Sequence, residues 1–175
     1  MPLLTVGHGT ARQEELAARL TGAGVQQLVD VRRFPGSRRH PHLSREAVAA
    51  WLPRAGVDYR WEERLGGRRP VAPDSPDVAL RNASFRGYAA WMRTDEFRAA
   101  LLDVLGQQQL TAVMCSESVW WRCHRRMVAD AASLLHDVEV LHLMPAGRLT
   151  PHPPTDGVRR DGGDLVYDAG TLPVS

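Results

Sequence analysis

Five short apolar runs, separated by segments of helical spacing, constrain this chain more than any other feature: "LLTVG", "VQQLVDVR", "VDYRW", "LTAVMCS" and "VEVLHLM". Runs this short and this rich in Val and Leu read as strands buried within a sheet. Between the first two, "RQEELAARLTGAG" sets Leu16, Ala17 and Leu20 at helical spacing and ends in glycine. Between the second and third, "SREAVAAWLPRAG" opens on Ser44 as an N-cap. "FRGYAAWM" and "TDEFRAALLDVLG" read as consecutive helices, the second capped by Thr94 and ended by Gly106, and "RCHRRMVADAASLL" is a helix before the fifth run. This alternation predicts an α/β, single-domain, three-layer fold: a mostly parallel sheet of about five strands, right-handed crossovers and helices on both faces.

The predicted domain spans residues 1–144. Residues 145–175 form a Pro/Gly-rich C-terminal tail, irregular or packed on the domain, in which only "DLVYD" can make a strand. The loop from Arg68 to Ser84 is longer than connections usually are, which marks it as mobile or functional. At 175 residues with 43% hydrophobic content the chain can bury a sizeable core, which excludes disorder as its main state. Two cysteines make no disulfide framework, and no apolar stretch reaches the ~18 residues of a membrane span. The opening "MPLLTVGHG" has no export signature, so a reducing cytoplasm is the expected location. All 22 basic residues are arginine and the net charge is only +2, so a case for nucleic acid rests on where the arginines cluster.

Ligands of open parallel sheets sit beyond the carboxyl ends of the strands, where helix N-termini favour anions. That rule selects Gly7, His8, Gly9 and Thr10 after the first strand, and Asp30, Arg32, Arg33 and the "FPGSRRHPH" loop after the second. It adds Leu65, Gly66 and Gly67 after the third, and "CSESVWWRCHRR" after the fourth.

The motifs "TVGHG", "LVDVRRFPGSRRHP", "ERLGG", "FRGYAAWM" and "VMCSESVWWRCHRR" stand in the order seen in the domain-of-unknown-function 488 family, which the chain resembles over about residues 3 to 143. The resemblance implies a compact α/β domain and brings no established reaction. The sequence departs from the family pattern at Gly9, where a serine is usual, and at Val119, Trp120 and Trp121, where a more Pro and Glu-like stretch is usual.

Cys115 has two readings: a small apolar core residue, or a thiolate nucleophile activated by a helix N-terminus and by Arg122, Arg125 and Arg126. The second resembles a thiol-phosphatase or rhodanese loop, but Cys115 to Arg122 leaves six intervening residues, one too many, and the stretch lacks glycine. His124 is a candidate acid or base, or a capping residue. Glu117 would hydrogen-bond a base edge or ribose, or pair with Arg122. Cys115, Cys123 and His124, with His8 or a loop histidine, form an alternative zinc set whose spacing matches no tight pattern; otherwise no cofactor is expected. Arg32, Arg38 and Arg125 suit phosphate oxygens, since arginine forks match them with paired hydrogen bonds. Asp30 would orient Arg32 or His8. Trp120, with Phe34 and Tyr88 nearby, offers a face on which a base could stack.

The resulting expectation is a small enzyme binding a phosphorylated substrate, a nucleotide or nucleic acid. His8, Cys115, Glu117 and His124 are its candidate catalytic residues, and Asp30, Arg32, Arg38, Arg125 and Trp120 its substrate or anion-binding residues. The alternatives are a non-enzymatic nucleic-acid-binding module and a thiol redox or sulfur-transfer protein. No membrane partner is expected, and the sequence leaves the oligomeric state open.

Overall fold

The computed structural model describes residues 1–36 and 38–169. Its strands and helices follow the sequence pattern: β1 (Leu3–Gly7), α1 (Gln13–Gly22), β2 (Gln27–Asp30), α2 (Arg45–Trp51), β3 (Asp58–Trp61), α3 (Ala83–Met92), α4 (Asp95–Leu105), β4 (Thr111–Cys115), α5 (Arg125–His136) and β5 (Val140–Leu143). Ser44 and Thr94 cap α2 and α4 as expected, accepting the N–H groups of Ala47 and Phe97, and Gly106 closes α4.

The tail, expected to be irregular or packed on the domain with a strand only in "DLVYD", holds β6 (Leu149–Pro151), β7 (Val158–Asp161) and β8 (Asp164–Tyr167), the last of them within that stretch. The sheet order is β3-β2-β4-β1-β5-β6, with β6 antiparallel at its edge; β7 and β8 form a separate hairpin. What holds this segment is burial: Leu165, Val166 and Tyr167 are in the core although the surrounding sequence is polar. Residues 170–175 of the tail lie outside the described residues.

The α/β architecture follows from the strand side chains. Leu4 and Val6 of β1 and Ala112 and Met114 of β4 meet Leu16 and Leu20 of α1 and Val48 and Trp51 of α2. The alternate residues, Leu3, Val113 and Cys115, meet α3, α4 and α5 on the other face. Burying both faces leaves no solvated side to the central strands, which is why their sequences are continuously apolar.

The long loop is pinned. Asp77 is fully buried, pairs with Arg93 at 2.7 Å and accepts the Tyr167 N–H at 3.1 Å. Close packing of Gly87 on the Arg69 carbonyl, where a Cβ would come to 2.1 Å, holds its start.

β1 and β4 are neighbours, yet the chain leaves β1 toward α1 on one face and β4 toward α5 on the other. Their carboxyl ends therefore open a crevice at a topological switch point.

Candidate functional site

Gly7 and Cys115 end β1 and β4 in register. Beyond them the His8 N–H donates to the Cys115 carbonyl at 3.0 Å and the Gly9 N–H to the Ser116 carbonyl at 2.9 Å. The approach is tight: a Cβ on Gly7 would lie 1.8 Å from the Glu117 carbonyl oxygen. Gly7→Ala is therefore expected to cost about 3 kcal/mol in a urea unfolding experiment, the upper end of overpacking costs. Gly22→Ala, where nothing lies within 4 Å, should leave stability unchanged or raised. A neutral Gly7→Ala would show that these loops give way.

The crevice widens into a cavity of about 650 Å³. His8, Arg32, Arg38, Cys115, Glu117 and His124 all line it, so the structure brings six of the expected residues together. Arg33, Arg39, Arg68 and Arg122 line it too, and Glu117 is the one carboxylate among the lining residues.

Asp30 lies beneath this surface, fully buried. Its carboxylate takes the Arg32 fork, Nε at 2.9 Å and Nη2 at 2.7 Å, and the Tyr59 hydroxyl at 2.6 Å. Asp30 is salt-linked to Arg32 and, lying beneath the cavity, does not itself reach a substrate, contrary to its place among the expected substrate or anion-binding residues. Arg32 Nη1 donates to the Leu43 carbonyl at 2.7 Å and to His8 Nε2 at 3.2 Å, while His8 Nδ1 donates to the Gly9 carbonyl at 2.9 Å. Burial lowers His8 to about 4, and the Arg32 charge adds to the effect. Its lone pair is engaged by Arg32, so His8 steadies that guanidinium and is not a free base.

Cys115 and Cys123 are both buried free thiols, 2% and 6% exposed. Burial pushes the Cys115 thiol well above its ordinary value, and the neighbouring Cys123 sulfur adds to this. Burial also opposes ionisation of Cys123, but the neighbouring Cys115 thiol and the Arg125 charge and N–H outweigh it and draw Cys123 below its ordinary value. Cys123 is therefore the more acidic thiol of the two, and its sulfur also takes the Arg125 N–H at 3.4 Å. Sequence reasoning chose Cys115 as the nucleophile; the more acidic sulfur is its neighbour, recognisable only once the strand end and the turn before α5 are folded together. His124 faces Cys123 Sγ through Nδ1 at 3.6 Å, and its Nε2 donates to the Val31 carbonyl at 3.1 Å. Burial lowers its basicity, leaving the ring neutral.

Three further expected roles do not fit. Arg125 does not line the cavity: it is 1% exposed, and its guanidinium turns inward to Cys115 Sγ at 2.6 Å, Thr5 Oγ1 and Ser118 O at 3.2 Å each, and the Glu117 carbonyl. It supports the thiols from behind and cannot grip a substrate phosphate. Trp120 is no platform for a base, because its ring stacks on His142 at 4.2 Å and 3° on the far side of the loop. The zinc set does not suit a cation either, since the Arg125 charge already contacts Cys115. Among the described residues no group of three or more His, Cys, Asp or Glu side chains could hold a metal.

Glu117 is exposed at the rim, its Oε1 accepting the Val119 N–H at 3.2 Å. Phe34 is 63% exposed beside the Arg33 guanidinium, 5.3 Å from the ring centre, and that of Arg68, 5.9 Å away. Among the described residues no helix is long and apolar enough to cross a membrane.

No curated protein and no solved structure matches the chain. The family described as "Domain of unknown function DUF488" matches residues 12–132, more than half of the chain, from the turn after β1 into α5 and so across most of the cavity wall. The chain belongs to the DUF488 family.

Proposed function

We propose that this protein is a small enzyme that binds a phosphorylated substrate, a nucleotide or a nucleotide within nucleic acid, in the arginine-lined cavity. The observation that carries the reading is charge: six arginines line the cavity against one carboxylate. Arg32 is committed to Asp30, and Arg33 lies 3.6 Å from Glu63, but Arg38, Arg39, Arg68 and Arg122 make no ion pair among the described residues. Guanidinium groups left without counterions around a concave surface suit an anion with several oxygens. The same wall carries groups that phosphate binding alone does not require: the thiol pair, the neutral His124 beside Cys123, and Glu117. In this reading Arg38, Arg39, Arg68 and Arg122 hold phosphate, Cys123 with Cys115 supplies the nucleophilic sulfur, and Glu117 or His124 moves the proton.

The test is a titration of wild type and an Arg38→Ala, Arg122→Ala double variant with inorganic phosphate, nucleoside mono-, di- and triphosphates and short single-stranded oligonucleotides, followed by ligand-detected NMR. Each arginine–phosphate contact should contribute about tenfold in affinity, so the double variant should lose about a hundredfold. A wild type that binds none of these at low salt, or a variant that binds as well, would overturn the reading.

The exposed Phe34 between Arg33 and Arg68 favours one second reading, a non-enzymatic module that stacks an unpaired base and grips the backbone beside it. It predicts oligonucleotide affinity that falls steeply with salt and is lost in Phe34→Ala, with Cys123→Ser unaffected.

A further inference from the structure

Behind the cavity wall a second set of polar groups is buried that the anion pocket does not use. Thr5, Asp130 and His142 are fully buried, the His152 side chain is 1% exposed, and they join end to end. Arg125 Nε donates to Thr5 Oγ1 at 3.2 Å; Thr5 Oγ1 lies 2.5 Å from His142 Nδ1; His142 Nε2 lies 2.9 Å from His152 Nδ1; His152 Nε2 lies 2.7 Å from Asp130 Oδ1. Asp130 also takes the Tyr167 hydroxyl at 2.8 Å and the Thr155 N–H at 3.0 Å.

The carboxylate end fixes the direction of every bond when each ring carries one proton. A guanidinium only donates and a carboxylate only accepts. Thr5 can accept from Arg125 and from a ring at once, so the direction is set from Asp130: with each ring carrying one proton, His152 Nε2 donates to Asp130 and the Thr5 hydroxyl donates to His142 Nδ1. His142 then carries its proton on Nε2 and donates to His152, which carries its own on Nε2 and donates to Asp130. The dipoles align from cation to anion, so the Asp130 carboxylate acts on Arg125 across four hydrogen bonds although both residues stand on α5. His142 is held neutral by burial, with His152 and Arg125 adding to the effect, as this direction requires. The Trp120 ring closes over His142 and excludes water from its face.

We infer that Asp130, His152, His142 and Thr5 form a positioning array that holds Arg125 behind the cavity thiols and makes the segment from His142 to Tyr167 part of the functional site. That segment lies beyond residues 12–132, the region that the family shares. Arginine does not release its proton, so the array conveys position and field and carries no proton. Its output is the contact of Arg125 Nη1 with Cys115 Sγ at 2.6 Å and of the Arg125 N–H with Cys123 Sγ at 3.4 Å. The other groups facing the thiols are His124 and Tyr88, neither of which belongs to the array. The inference rests on the proposed function only in treating the thiols as part of the site.

The test reads the thiols directly, by the ultraviolet absorbance of the thiolate against pH, in wild type, Asp130→Asn, His152→Ala and His152→Gln. Loosening Arg125 should move the thiolate titration upward by about one pH unit in Asp130→Asn and His152→Ala, the size expected of one nearby charge. His152→Gln, which can still accept from His142 and donate to Asp130, should recover at least half of that. NMR of the wild-type imidazole nitrogens should place the His142 proton on Nε2. A folded Asp130→Asn or His152→Ala with the wild-type titration would overturn the array, and so would a His142 proton on Nδ1. If His152→Ala does not fold, Asp130→Asn and the wild-type tautomer decide. Phosphate affinity measured on the same wild-type sample separates the two proposals: its absence defeats the anion pocket and leaves the array standing.

Discussion

Arg125→Met should destabilise the protein by about 4 kcal/mol, the largest loss expected from any single side chain of the site. Methionine fills much of the same volume, so the cost is polar. The Glu117 and Ser118 carbonyls, the Thr5 hydroxyl and Cys115 Sγ all lose a donor at once in a region closed to water. Each buried acceptor left unsatisfied costs ~1–3 kcal/mol, and removing one member of a buried charged network typically costs ~3–5 kcal/mol. Asp130 at the other end of the array keeps a charge with its distant counterion gone. Arg125→Lys should recover less than half, because an ammonium on a flexible stem cannot reach strand, loop and thiol together. Urea unfolding monitored by tryptophan fluorescence measures the difference. A loss below ~1 kcal/mol for Arg125→Met would mean that water enters behind the loop and that the buried network is not a closed one.

This role of Arg125 could not be read from the chain, and the reason is physical. The sequence places it correctly at the start of α5 in a cluster of arginines, and arginine at a strand edge ordinarily faces an anion. What turns it inward is the pairing of β1 with β4, which sets Thr5 and Cys115 on the same side as α5, and that contact spans 120 residues. The local layer was legible: strand runs, the Ser44 and Thr94 caps, the two-faced sheet and the convergence of His8, Arg32 and Cys115 at its carboxyl edge all follow from short-range pattern. Asp30 could be assigned to Arg32 because the two lie two residues apart on one strand end. Cys123 enters the sequence reading only as an alternative zinc ligand, and His142 and His152 do not enter it, because the partners that define them are distant in the chain. Signals were present, however, in Asp130 within the apolar "MVADAASLL" and His142 within "VLHL", since a polar residue on a buried face needs a partner. The tail was legible only at "DLVYD" for a related reason: its composition is that of a loop, and packing against the loop at Asp77 and against α5 orders β7 and β8.

Acidification from about pH 7 to about pH 5 should weaken the fold by about 4 kcal/mol before any carboxylate is involved. Two buried histidines are responsible: burial lowers His8 from 6.5 to about 4 and His142 to about 3. A histidine whose folded value lies below its unfolded one is protonated first in the unfolded chain, so its contribution is complete above about pH 6.5 and drains away as pH falls toward the folded value. At about pH 5 each of the two has lost about 2 kcal/mol, since one pH unit between the folded and unfolded values is worth ~1.4 kcal/mol. His124, also lowered by burial, acts in the same direction. Glu62 differs in its window: burial raises its carboxyl, Arg64 outweighs that and lowers it, and its contribution is lost only as pH falls below about 4.5. Urea midpoints at the two pH values give the loss. His8→Gln, which keeps an acceptor for Arg32, should reduce it by about half, and the Thr5 to Asp130 array should account for the rest through His142. Stability that stays flat across this interval would mean that both rings are solvated in the folded state, and would remove the physical basis for reading either as locked neutral.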